Sequence, residues 1–243
     1  MIAFSKTDIG VRRNTNQDYA YFSVEQIGNL PNVLIVADGM GGHKAGEVAS
    51  EQAVNAVLQS IKENEKEDKI SIIEEAIEAA NCKVLDMAAK DEKFMGMGTT
   101  IVVATLENGN LYVANVGDSR LYLIDDDIRQ ITRDHSLVQE MVSIGELDKE
   151  SAKTHSRRNI ITRAVGVEKK VMADFFEAEV REGTKILLCS DGLTNMVDDN
   201  EIKHIIEECS SSNQNIEATV QRLIDTANEN GGLDNIAVVL AEV

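Results

Sequence analysis

Three times this sequence drives an apolar run into an aspartate. Val33-Leu34-Ile35-Val36-Ala37 leads to Asp38-Gly39, Ile186-Leu187-Leu188-Cys189-Ser190 to Asp191-Gly192, and Val113-Ala114-Asn115-Val116-Gly117 to Asp118. Short apolar runs rich in Val, Ile and Leu predict strands buried on both faces. A carboxylate at the end of such a strand is costly unless something pairs with it. One acid alone, such as Asp38, is explained as the cap of a following helix. The recurrence predicts instead that several strand ends meet around a shared cation.

The rest of the chain supplies elements to place those strands. Residues 2–8 predict an edge strand, and Gly10 to Asp18 a polar loop holding Arg12, Arg13 and Asp18. A strand at 19–24, a turn at Gly28–Asn32 and the strand at about 33–37 follow. Apolar residues at helical spacing predict amphipathic helices over 45–61 and 70–89, joined by a charged connector at 62–69. Gly96 to Thr100 breaks that pattern and starts a meander of strands at 100–106, 110–116 and 120–124, with an Asn108-Gly109 hairpin and a turn at Asp125–Asp127. Residues 134–166 are polar and weakly helical, and predict a mobile flap. Strands return at about 171–180 and 185–190, then helices at about 200–209 and 215–229, and a last strand at 236–240 preceded by Asp234-Asn235. Short-turned strands between helix pairs predict an α+β fold: a four-layer αββα sandwich, two antiparallel sheets face to face with a helix pair outside each.

Composition narrows the function. One proline, no tryptophan and no Pro- or Ser-rich linker in 243 residues predict a single domain, 1–243. A net charge of −18 repels phosphate backbones, which excludes nucleic acid as a general partner. No run of about 18 apolar residues exists, so no membrane span is expected. Met1 to Asp8 is too short and polar for a signal sequence, and Cys82, Cys189 and Cys209 read as free thiols, so a cytoplasmic location is expected.

Asp18, Asp38, Asp118, Asp191 and Asp234 all sit at loop–strand boundaries. Hard cations such as Mg²⁺ or Mn²⁺ take oxygen ligands, so a few Asp side chains with a Gly carbonyl suit one or two of these ions. An EF-hand does not fit Asp125-Asp126-Asp127, and no soft-ligand zinc set is evident. The Gly-x-x-x-x-Gly-Lys-Ser/Thr phosphate loop, a Cys nucleophile with Arg six residues on, Gly-x-Gly-x-x-Gly and Gly-x-Ser-x-Gly are absent.

Six motifs then occur in order: Arg13-x-x-Asn16-Gln17-Asp18, Asp38-Gly39-Met40-Gly41-Gly42, Gly96-Met97-Gly98-Thr99-Thr100, Gly117-Asp118-Ser119-Arg120, Ser190-Asp191-Gly192 and Asp234-Asn235. Over essentially its whole length the chain resembles the metal-dependent serine/threonine protein phosphatases (the PPM or type 2C family), in their compact bacterial form. The resemblance implies a central β-sandwich with two Mn²⁺ or Mg²⁺ ions in the cleft at one end. Asp38 bridges both; Asp191 and Asp234 complete the first, and Asp18 with the Gly39 carbonyl serves the second. Asp118 with Asp191 is similar to the third-metal site of bacterial members. Arg13 holds the substrate phosphate through a bidentate guanidinium fork. The implied reaction is attack of a metal-bridging hydroxide on phosphoserine or phosphothreonine in proteins, opposing a serine/threonine kinase, by a monomer with no phospho-enzyme.

Two positions depart from the animal enzymes. Gln17 stands where they place a metal-binding acid, so Asp18 takes that role. Met40 stands where they place a His that protonates the leaving group; His43 and a metal-bound water are the alternatives. Structural or surface roles are expected for His135 and His155, a solvated pair for Arg157-Arg158, loop orientation for Ser119 and Arg120, core packing for Cys189, and filling around the glycine turn for Met95 and Met97. A non-catalytic phosphoprotein-binding module and a small-ester phosphatase are the competing functions. The four acids Asp18, Asp38, Asp191 and Asp234 argue against the former.

Overall fold

The computed structural model describes residues 1–42, 44–211 and 215–243. In chain order its elements are β1 (Ile2–Asp8), β2 (Asp18–Ser23), β3 (Val33–Met40), α1 (Ala45–Glu63) and α2 (Lys69–Lys90). There follow β4 (Gly98–Thr99), β5 (Ile101–Glu107), β6 (Asn110–Val116), β7 (Arg120–Ile124) and β8 (Ile128–Gln130). Two short helices, α3 (Leu137–Ser143) and α4 (Lys149–Thr154), precede β9 (Asp174–Glu179) and β10 (Lys185–Cys189). Last come α5 (Asp191–Thr194), α6 (Asp199–Ser211), α7 (Ile216–Glu229) and β11 (Ile236–Glu242). Every strand pairing is antiparallel. One sheet runs β1-β11-β10-β7-β8, the other β2-β3-β5-β6-β9, with β4 bonded to the end of β3.

Alternation along each strand builds the layers, because successive side chains leave opposite faces of a sheet. On β3, Val33, Ile35 and Ala37 face α1 and α2, while Leu34 and Val36 face the other sheet. On β11, Ile236, Val238 and Leu240 pack under α6 and α7, while Ala237, Val239 and Ala241 turn inward. Three apolar layers result: helices on sheet, sheet on sheet, sheet on helices. That is the expected αββα sandwich. Each fully buried Val, Leu or Ile contributes about 1.5–3 kcal/mol.

Local signals set the element ends. Asp68 caps α2 by accepting from Ser71 N at 2.8 Å, and Asn215 caps α7 by accepting from Ala218 N at 2.8 Å. Asn108 (φ 51°) and Gly109 (φ 80°) turn β5 into β6, the left-handed pair that a two-residue hairpin requires.

The structure corrects several expectations. The stretch 100–124 is not one meander: β6 pairs with β5, but β7 belongs to the other sheet beside β10. Gly117, at φ 108°, swings the chain across the open end of the sandwich, and a Cβ there would lie 2.5 Å from the Thr100 side chain. Residues 171–173 lie outside the strand that was expected to begin there; β9 starts at Asp174, where the ladder with Asn115 begins. The short strands β4 and β8 were not anticipated. The helical character expected between 134 and 166 is present as α3 and α4, and isolated bridges join Ser136 to Ile161 and Thr99 to Val165. Met97 is buried, whereas Met95 is 78% exposed and fills nothing.

Candidate metal centre

The alternation that builds the core also aims the acids. Asp18 begins β2 on the face of Ala20 and Phe22, and Asp38 continues the face of Leu34 and Val36; both project into the gap between the sheets. They are directly opposite in the β2–β3 register. From the facing sheet, Ser190 follows β10 with the same inward parity, and its hydroxyl donates to Asp18 Oδ2 at 2.6 Å. The ends of β6 and β10 and the start of β11 reach this same edge, bringing Asp118, Asp191 and Asp234 beside the first two. Asp18 is buried, while the other four keep part of their surface open to solvent.

Backbone and hydroxyl groups hold Asp38 in place. Its carbonyl accepts from Thr100 N and from Thr99 Oγ1, each at 2.8 Å, and its N–H donates to Thr100 Oγ1 at 3.0 Å. Thr100 in turn hydrogen-bonds Ser119, the neighbour of Asp118, at 2.8 Å. Gly39 N–H donates to Gln17 O at 3.0 Å. Helix α1 begins against this point: a Cβ on Gly39 would sit 2.0 Å from Gly46 O, and one on Gly46 2.6 Å from Gly39 O. Two glycines are needed for that approach.

Gathering five carboxylates at a low-dielectric edge disfavours their ionised forms. Burial pushes Asp18 up to about 7, against the pull of the Ser190 hydroxyl. Burial and the charges of Asp18 and Asp191 push Asp38 well above its ordinary value. Burial and Asp191 raise Asp118 to about 8, and burial and Asp234 raise Asp191 to about 6. Asn195 donates to Asp191 Oδ2 at 2.9 Å, but Asp191 Oδ1 is buried with no hydrogen-bond partner. Arg13 Nη2 lies 2.7 Å from Asp234 Oδ2, so one cation already leans on the cluster.

These features fit hard divalent ions. Among the described residues, no three His, Cys, Asp or Glu side chains form a ready-made cage for one ion. Mg²⁺ takes one or two carboxylates and keeps several waters, so an open cluster with a spare buried oxygen suits it and a closed structural site does not. A nearby cleft lined by Met40, Ile161, Arg163, Val167, Val171 and Met172 adjoins the cluster through Met40.

All of the candidate acids, Gly39 and Arg13 therefore come together at one edge. His43 lies outside the described residues. His155 and the Arg157-Arg158 pair sit in the 134–166 stretch, where His155 Nδ1 accepts from Arg157 N at 3.1 Å. Cys189 is buried in the core. Arg120 grips Asp134 with Nε and Nη2, the closer contact at 2.7 Å, and so anchors the Asp118 turn.

Sequence reasoning left three supports without a role. Ser190, the first residue of Ser-Asp-Gly, bonds Asp18. Asn235 accepts from Gln17 N and donates to Ile9 O and Thr15 O, all at 2.9 Å, fastening the Arg13 loop to Asp234. Gly46 is packed against Gly39. The first two lie inside recognised motifs, whereas Gly46 reads as an ordinary first-turn helix residue.

Comparison with known proteins places this geometry. A family model for protein phosphatase 2C matches residues 11–240. The "Serine/threonine phosphatase stp" of Listeria innocua is 41% identical over 247 residues, covering 100% of this chain and 96% of that protein. A serine/threonine phosphatase structure from S. agalactiae superposes with a TM-score of 0.91 at 35% identity, over 100% of this chain and 99% of the other. The catalytic domain of the phosphatase PstP "in complex with 2 Manganese ions" gives a TM-score of 0.86 at 31% identity, covering 99% and 97%. The chain belongs to the bacterial branch of the protein phosphatase 2C family.

Proposed function

We propose that the protein hydrolyses phosphoserine and phosphothreonine in proteins at this carboxylate cluster, using Mn²⁺ or Mg²⁺. The observation that carries the reading is the pair Asp18 and Asp38 facing each other on the β2–β3 ladder, with Asp191 Oδ1 unpartnered beside them. Asp38 would hold two ions, Asp191 and Asp234 one of them, and Asp18 with the Gly39 carbonyl the other. Asp118 and Asp191 would hold a third. Bound divalent ions supply Lewis acidity toward the phosphoryl oxygens and lower the pKa of a bound water.

The chain's own residues do the rest. Ser190 orients the Asp18 carboxylate, and Thr99 and Thr100 fix the backbone on either side of the Asp38 side chain. Arg13, 48% exposed at its side chain, is free to turn from Asp234 to a phosphate and bind two of its oxygens. That charge is delivered where negative charge grows in the transition state. Water adds to phosphorus as the bond to the seryl or threonyl oxygen breaks, and that oxygen takes up the proton the water gives up. The natural substrates are phosphoproteins made by a serine/threonine kinase that this enzyme opposes.

The test is hydrolysis of a phosphothreonine peptide by chelator-stripped protein with Mn²⁺ restored, beside Asp38→Ala and Asp191→Ala. Activity that returns with metal and is lost in both variants is expected. Tight metal binding with no turnover of the peptide would overturn the assignment.

A further inference from the structure

We infer that His135 is a positioning residue for Asp118, holding the turn that carries this acid and tying it to both ends of the 134–166 stretch. The inference rests on the proposal that Asp118 is a metal ligand. His135 is only 4% exposed, and each of its hydrogen-bonding groups has a partner. Its N–H donates to Gly117 O at 2.9 Å, and its Nδ1 accepts from Gly117 N at 3.1 Å. One residue thus engages both backbone groups of the glycine that precedes Asp118. Gly117 is buried, and buried backbone groups must be paired.

The proton on the ring is set by this arrangement. A backbone N–H can only donate, so Nδ1 is bare and the proton sits on Nε2. Nε2 faces Asp174 Oδ2 at 3.3 Å. Arg163 Nη1 donates to the other oxygen, Asp174 Oδ1, at 2.7 Å. Arg163 Nη1 also lies 3.3 Å from Nε2; both are donors, so Asp174 is what joins them.

The network closes on itself. Asp174 pairs with Asn115 in the β6–β9 ladder. Asn115 Nδ2 donates to Gly117 O at 3.2 Å and to Arg133 O at 3.0 Å. Meanwhile the His135 carbonyl accepts from Thr162 N at 2.8 Å, where the 134–166 stretch returns. The Asp118 turn, the departing and returning chain and β9 therefore meet at one residue, whose ring joins the Gly117 N–H to Asp174 and whose backbone joins Gly117 O to Thr162 N. A histidine that merely filled the core would have no reason to set Nδ1 on the Gly117 N–H and Nε2 toward Asp174.

The test counts and ranks Mn²⁺ sites on the full chain by calorimetric titration and electron paramagnetic resonance. Wild type is compared with Asp118→Asn, His135→Leu, His135→Asn and Asp174→Asn. Asp118→Asn identifies the site that depends on this acid. His135→Leu is expected to weaken that same site by about 10–100-fold, as loss of a group that orients a ligand does, and to leave the tighter sites unchanged. His135→Asn, whose Oδ1 can replace Nδ1 as acceptor, should restore most of the affinity. Asp174→Asn should weaken it in the same direction and keeps the test alive should His135→Leu fail to fold. Should the His135 and Asp174 variants lower the melting temperature with Asp118-dependent affinity intact, or should Asn do no better than Leu, the positioning role is wrong. If Asp118→Asn removes no Mn²⁺ site, the ligand role of Asp118 is what fails. Phosphopeptide turnover, measured in parallel, reports separately on the proposed phosphatase activity.

Discussion

Asp18 and Asp38 stand directly opposite each other on the β2–β3 ladder, two carboxylates at a position where cross-strand like charges destabilise a sheet. Leu34 and Val36 precede Asp38 on the same face, so the pair has the apolar core between the sheets directly behind it. Without a cation the pair survives by holding protons. With one, the repulsion becomes a binding site.

Replacing Asp38 therefore separates stability from activity. Asp38→Asn gives Asp18 a hydrogen-bond donor and removes a like charge that the pair otherwise avoids only by taking up protons. The metal-free variant is expected to melt higher than metal-free wild type, by about 2–4 °C for each kcal/mol of repulsion removed. Phosphopeptide turnover should fall by at least about 10²-fold, because charge stabilisation at the reacting centre is lost. Calorimetry and a peptide assay on one preparation check both; a lower melting temperature for the stripped variant contradicts the repulsion.

The raised carboxyls fix the sign of a pH effect. Their ordinary value is 3.8, and the folded metal-free protein holds Asp191 to about 6, Asp18 to about 7 and Asp118 to about 8. Between pH 4 and 8 the folded state thus binds more protons than the unfolded chain, and its stability falls as pH rises. His135, lowered by burial, acts in the opposite sense around its ordinary 6.5, but it is one group against several. Chelated protein should melt lower at pH 8 than at pH 5, and added Mn²⁺ should raise the melting temperature more at pH 8. A chelated protein that gains stability across that interval rules this out.

Ser190 offers a subtler probe. Its hydroxyl donates to Asp18 at 2.6 Å and accepts from Ala237 N at 2.9 Å, joining the two sheets at the site. Ser190→Ala leaves Asp18 free to rotate. The Mn²⁺ concentration for half-maximal turnover should rise about 10–100-fold, with turnover at saturating metal little changed. An unaltered metal requirement would remove Ser190 from the site.

How far the sequence discloses this structure depends on the kind of signal. The long elements are legible because Val33–Ala37 or Ala45–Ile61 repeat their period many times. Asp38, Asp118 and Asp191 are legible because each ends such a run, and Asp18 and Asp234 because each stands just before a strand. Sheet membership is not: Gly117 to Arg120 reads like any tight turn, and that β7 crosses to the other sheet shows only in its pairing with β10, far along the chain. A strand of two residues, β4, has no period to detect. The roles of Ser190, Asn235 and His135 depend on partners more than 15 residues away in sequence, so no local pattern announces them.

Arg13 is exposed enough to be tested without disturbing the fold. Arg13→Lys keeps the charge near Asp234 but loses the planar fork that matches a phosphate. A charge-assisted hydrogen bond is worth about 1.5–3 kcal/mol, so kcat/KM for the phosphopeptide should drop about 10–100-fold. Stability should move by less than about 0.5 kcal/mol. Full kcat/KM in Arg13→Lys would show that the fork is not used.

Two glycines near the site should respond in opposite ways to the same change. A Cβ on Gly42 would meet nothing within 4 Å, so Gly42→Ala should alter neither activity nor stability appreciably. Gly46 lies in the first turn of α1, where helix propensity favours alanine by about 1 kcal/mol. Yet a Cβ there would stand 2.6 Å from Gly39 O and 2.5 Å from Gln17 Nε2. The side chain of Gln17 can give way; the carbonyl of Gly39, the proposed ligand, is backbone and can move only with the strand end that carries Asp38. Gly46→Ala should therefore lose Mn²⁺ affinity and turnover while keeping most of its helix content by circular dichroism. If its turnover matches that of Gly42→Ala, the close approach of α1 to β3 has no part in holding the Gly39 carbonyl toward the metals.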